Sequence, residues 1–199
     1  MLFRSEFAGS THTAPCFARR DHQTSTATPL AADAETPAAF MQNVANELIA
    51  ASRMGSGSAS AFATALRSHA DLPSIGLTAL GGYASSLPKG DRPAYYNGMV
   101  SWIARYAAKE APNYPVAKVV VLGQSGETSG ATYVDSRISL RSGESYDVRW
   151  KIVKRGNVYK VRDAEIIGFE VTSFLNNLFQ NYIGENGGNP KALVLALNR

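Results

Sequence analysis

The sequence predicts an α+β fold: N-terminal helices, then an antiparallel four- to five-stranded curved sheet, then C-terminal helices closing over an apolar cavity. Three observations predict it. Apolar residues recur at helical spacing from Pro37 to about residue 109, the period falls to two between Pro115 and Ile167, and helical spacing returns from Val171 to Leu197. Segregated helices and strands of this kind give α+β rather than alternating α/β folds.

Each element has a local reason. Thr36-Pro37 opens the first helix, with Thr36 as cap and Pro37 at the first helical position. Phe40, Met41, Val44, Leu48 and Ile49 then share a face, and Gly55 to Gly57 ends the run. Ser58 or Ser60 starts a second helix carrying Phe62, Leu66 and His69, and a third runs from near Pro73 to Gly81-Gly82. The fourth, about 91–109, is expected to be capped by Asp91. Its apolar residues form two adjoining stripes, so it is either sandwiched between layers or faces a hollow interior.

In the strand region, Tyr146, Val148, Trp150 and Ile152 alternate with Asp147, Arg149 and Lys151. Val134, Ile138 and Leu140 alternate similarly, with Ser136 interrupting the apolar set. Val119 to Leu122 reads as a buried strand. Gly143 and Gly156-Asn157 mark hairpin turns, and Gly123-Gln124-Ser125-Gly126 reads as another tight turn. The result is an antiparallel meander with one dry face. A fifth helix carries Val171, Phe174, Leu175, Leu178, Phe179 and Tyr182, and Asn189-Pro190 caps a last short one.

Composition bounds the function. A chain of 199 residues with 45% apolar content can bury a real core as one domain. No run approaches the roughly 18 apolar residues that a spanning helix needs, so contact with a membrane is expected to be peripheral or through a partner. The net charge of +4 is scattered without a Lys/Arg block, and no nucleic-acid motif is present. Cys16 is the sole cysteine, which excludes an internal disulfide and a Cys-rich metal site. Residues 1–35 are rich in Ala, Thr, Ser and Pro and lack periodicity. They read as a disordered tail or an atypical leader, with Ala32-Asp33-Ala34 as an acceptable cleavage site but no apolar stretch of a secretory signal. The folded domain is expected over 36–199.

Candidate catalytic groups are few. His12 and His22 lie in the tail, and His69 beside Asp71 has no nucleophile placed with it. The Gly123 to Gly126 segment lacks the Lys and the strand–helix setting of a phosphate loop. Asp135, Asp147 and Asp163 fall on different strands and read as solvated rather than paired acids. The residues therefore point to binding without catalysis, with no metal and no cofactor.

Three segments carry a family likeness. The first is Asp71-Leu72-Pro73 followed by Leu80-Gly81-Gly82-Tyr83. The second is Tyr95-Tyr96 leading to Ile103-Ala104-Arg105-Tyr106-Ala107. The third is Val148-Arg149-Trp150-Lys151-Ile152 leading through Tyr159-Lys160-Val161-Arg162-Asp163 to Gly168 and Phe179. In order and spacing these resemble the MlaC family, the toluene-tolerance auxiliary proteins. The sequence departs from the family pattern near Ala84, Tyr159, Glu170 and Leu175-Asn176.

The resemblance implies a periplasmic, monomeric phospholipid carrier. It would shuttle between an inner-membrane ABC transporter with MCE-type subunits and an outer-membrane lipoprotein partner, and so act in outer-membrane lipid asymmetry. A hopanoid or other apolar lipid is an alternative cargo. A cone-shaped isomerase-like enzyme is a further alternative, but it would need an isolated Asp or His inside the cone, and the inward set has none.

Under the carrier reading, strand parity and helix faces select the residues expected to touch lipid. They are Tyr83, Tyr96, Val100 and Ile103 from the helices, and Val121, Val134, Ile138, Leu140, Val148, Trp150, Ile152 and Ile166 from the sheet. Phe169, Phe174 and Phe179 are expected to close the far side.

Overall fold

The computed structural model describes residues 35–128 and 130–199. The expected tail, with its cleavage site, Cys16, His12 and His22, lies outside them. The helices are α1 (Pro37–Ser52), α2 (Ser58–His69), α3 (Leu72–Leu80), α4 (Arg92–Glu110), α5 (Val171–Glu185) and α6 (Pro190–Leu197). The strands are β1 (Val116–Thr128), β2 (Ala131–Leu140), β3 (Ser145–Arg155), β4 (Val158–Ile166) and β5 (Phe169–Glu170). They form one antiparallel sheet in the order β1-β2-β3-β4-β5. The α+β arrangement read from the sequence is the one observed.

The helix boundaries follow local chemistry. Thr36 Oγ1 accepts from the Ala39 amide at 3.1 Å, and Asn189 Oδ1 accepts from the Lys191 amide at 3.0 Å. Gly81, at φ +53°, ends α3 where a side chain would be strained. Asp91 stands at the N-cap of α4 but makes no capping bond. Its carboxylate instead faces Lys191 at 3.4 Å. The helix stripes of α4 are wide because it is sandwiched: α2, α3 and α6 all pack on it.

Two strand expectations change. The Gly123 to Gly126 segment is not a turn. It lies inside β1, and the chain reverses after Thr128, with Gly130 at φ +83°. The glycines instead accompany bulges. The pairing of β1 with β2 slips by one residue between Val116 and Lys118, between Val121 and Gly123, and between Gln124 and Gly126. Val119 to Leu122 is also not buried throughout. Because β1 is an edge strand with one face to solvent, Val119 and Val121 turn inward while Val120 and Leu122 are exposed.

Three clusters make the solid core. Tyr95, Met99, Leu175, Phe179, Ile183, Leu193 and Leu197 join α4, α5 and α6. Phe40, Met41 and Val44 of α1 press on Val134 and Ile152 of the sheet. Phe62, Ala51, Val100 and Ala104 join α1, α2 and α4. The outer face of the sheet carries direct cross-strand ion pairs, Arg137–Asp147 at 2.7 Å and Arg149–Asp135 at 3.0 Å. Among the described residues no helix is long and apolar enough to cross a membrane.

Candidate functional site

Between the inner face of the sheet and the helices the packing is incomplete. Two apolar hollows remain, of about 220 and 210 Å³. The first is lined by Val44 and Leu48 of α1, Leu66 of α2, Ile75 of α3, Ile103 of α4, Val161 of β4 and Leu175 of α5, with Trp150 of β3. The second is lined by Ala45, Leu48 and Ile49 of α1, Phe62 of α2, Val119 of β1 and Ile138 of β2, again with Trp150. Hollows of this size with apolar walls suit apolar ligands.

The fold holds the first hollow open at a specific joint. Where α2 meets α3, Ala70 forms a parallel bridge with Val161, and the Asp71 amide donates to the Val161 carbonyl at 2.8 Å. A bulge between Lys151 and Ile152 adds Arg162 to β4 at this point. The joint ties the α2–α3 junction to β4 near the rim of the sheet, while α1 packs on its middle strands.

The His69 and Asp163 side chains at the first hollow, and Asp71 beside it, are bonded to other groups. His69 Nε2 lies 2.8 Å from Glu47 Oε2, not beside Asp71. Asp163, expected on a solvated face, accepts from the amides of Ala164 at 2.8 Å and Thr172 at 3.1 Å, and from the Thr172 hydroxyl, which ties β4 to the start of α5. His69 and Asp163 do reach the wall, contrary to an inward set free of such groups, but each is bonded elsewhere. Asp71 is nearly buried and accepts from Arg155 Nη2 at 2.6 Å and Nε at 3.1 Å. Burial pushes its carboxyl up, but bonds from Ser74 and Arg155 and the Arg155 charge outweigh this and hold it below the usual range. Burial pushes the Tyr95 hydroxyl far up, with Tyr96 adding to the effect, and that hydroxyl donates to the Gly76 carbonyl at 2.9 Å. Among the described residues no group of three metal-ligating side chains occurs.

The expected lipid-touching residues distribute over three settings. Ile103, Trp150, Ile166 and Ile138 line the hollows. Ile166, Phe169 and Phe174 line a surface groove that meets the first hollow at Ile166 and Val171, and Phe169 and Phe174 are largely exposed there. The rest pack into solid structure. Val100 lies in one cluster, Val134 and Ile152 in another with Val121 against it, and Phe179 in a third with Tyr83 and Tyr96 against it. Leu140 and Val148 are buried outside both hollows.

Parity identifies a face but not whether a partner helix fills it. Wall residues that the parity argument leaves out are Val44, Leu48, Leu66 and Leu175, which belong to the helix stripes, and Val161. The bulge at Arg162 hides Val161 from a simple alternation.

The comparisons with known proteins agree with this geometry. The fold matches that of a phospholipid-binding protein from Ralstonia solanacearum, solved in complex with a phospholipid, at a TM-score of 0.66 and 20% identity, covering 84% of this chain and 96% of that one. Among curated proteins none is similar enough to match. A family model described as MlaC protein matches residues 38–199, nearly all of the helices and strands above, and this chain therefore belongs to the MlaC family.

Proposed function

We propose that this protein is a periplasmic lipid carrier, not an enzyme, that shields phospholipid acyl chains in its hollow interior. In this reading it shuttles them between an inner-membrane MCE-type ABC transporter and an outer-membrane lipoprotein partner. The observation that carries the reading is the pair of apolar hollows between sheet and helices, with His69 and Asp163 at the wall of the first bonded to other groups. The phospholipid bound by the Ralstonia protein of the same fold supports it. Family membership supports the route.

The physical need is plain. Each methylene exposed to water costs about 0.8 kcal/mol, so a diacyl lipid crosses an aqueous gap very slowly unaided. An apolar cavity removes that cost without any catalytic group. The headgroup can remain in water, so the reading requires no enclosed headgroup pocket.

The test is organic extraction of the purified protein followed by mass spectrometry of the extract. A diacyl phospholipid bound in roughly stoichiometric amount is the expected result. A polycyclic lipid in its place would reassign the cargo, and an extract free of lipid, with no uptake from phospholipid vesicles, would overturn the reading.

A further inference from the structure

We propose that Trp150 is a partition between two lipid-tail compartments, and that Ser136 is the positioning residue that holds it there. The proposal rests on the carrier reading above and adds a determinant of cargo shape. The two hollows share two wall residues, Leu48 of α1 and Trp150 of β3. Leu48 reaches down from the helix layer and Trp150 rises from the sheet, so the two together separate what would otherwise be one space. Trp150 stands on the inward face between Val148 and Ile152, and its cross-strand partners are Val134 and Ala164.

The indole is fixed by a single directional contact. Its Nε1–H donates to Ser136 Oγ at 2.8 Å, and Ser136 is almost wholly buried. Ser136 interrupts an inward row that is otherwise Val134, Ile138 and Leu140. A hydroxyl in such a row carries a desolvation cost unless it is bonded, and so does an indole N–H. Each group meets the other's need. Trp150 also packs against the cluster of Phe40, Met41, Val44, Val134 and Ile152, and the bond adds a direction that this apolar packing does not supply.

Volume supports one tail per compartment. A cavity of about 150 Å³ takes one benzene, so a hollow of 220 or 210 Å³ takes on the order of six to nine tail carbons. That suits a segment of one chain and excludes two side by side. The partition therefore limits how much of each tail is sheltered, and a longer tail must leave methylenes outside.

The experiment uses the full chain incubated with vesicles holding phosphatidylethanolamines of short, medium and long saturated tails in equal amounts. Bound lipid is then read by mass spectrometry. Trp150→Ala joins the compartments and shifts the bound population to longer tails, by about fourfold for each further methylene sheltered. Ser136→Ala and Trp150→Phe each remove the pin but leave most of the ring volume. They give a smaller shift in the same direction, and the double variant shifts no further than either alone. Should Trp150→Ala not fold, the pin variants and their non-additivity decide the matter. Wild-type protein that takes up lipid while every folded variant keeps its tail-length profile overturns the partition alone. Wild-type protein that takes up no lipid overturns the carrier reading and the partition with it.

Discussion

Asp71 sits at the joint between α2 and α3, and its two roles are separable. Its backbone amide bonds Val161, while its carboxylate meets Arg155 across a sequence separation of 84 residues. Replacing Arg155 by Leu leaves a nearly buried carboxylate with only Ser74. We expect a loss of about 2 kcal/mol, below the roughly 3–5 kcal/mol of a fully buried pair because Arg155 is half exposed. The folded carboxyl lies below its unfolded value near 3.9. The stability it contributes is therefore complete above that pH and lost as pH falls through the lowered folded value. Asp135 and Asp147 are lowered too, so urea unfolding across that range should show an acid limb that is shallower in Asp71→Asn than in the parent. At the β4–β5 turn, Ile167 has φ +52° and precedes Gly168 at φ +81°. A β-branched residue is costly there, and the paired positive angles are those of a turn that favours Asn-Gly. Ile167→Asn should raise stability by about 1 kcal/mol, measured as a higher denaturation midpoint.

At the scale of elements, close approach depends on missing side chains. A Cβ on Gly76 of α3 would fall 2.8 Å from the Tyr96 ring and 3.0 Å from that of Tyr95. One on Gly98 of α4 would fall 2.8 Å from Leu197 Cβ of α6. Alanine gains about 1 kcal/mol of helix propensity over glycine, but over-packing a tight helix contact costs roughly 1–3 kcal/mol, and the clash wins. Gly98→Ala should therefore lower the melting temperature, and an exposed control, Gly184→Ala in α5, should raise it. The helices were legible because caps and stops are local: Thr36, Gly81 and Asn189 act on residues within a turn of themselves. Bulges are not local in this sense. Gly123 to Gly126 carries turn residues, and only the partner strand decides whether the chain reverses there or curls. The same holds for Val161, whose inward direction depends on the extra residue beside it.

At the scale of the whole molecule, α1 begins at Pro37 with Thr36 as its cap, and the family match begins at residue 38. A chain starting at Glu35 should melt cooperatively at the temperature of the full chain, and a drop of several degrees would give residues 1–34 a structural role. The apolar interior was legible as a face on each strand and helix. Its division into core and hollow was not, because a void is set by how rigid layers fit and not by any residue's polarity. Trp150 and Val148 share a parity, yet one borders both hollows and the other borders neither. One feature of β1 bears on how copies of the protein meet in solution. Among the described residues no strand pairs with its outer edge over 13 residues, and its backbone groups are in position to template the addition of another chain. The three register slips break the even spacing such addition needs, and Lys118 adds a charge to it. Deleting Leu122 and Ser125 together would remove two of the three slips and leave a regular, sticky edge from Lys118 onward. That variant should scatter light and bind an amyloid dye at concentrations where the parent solution stays clear.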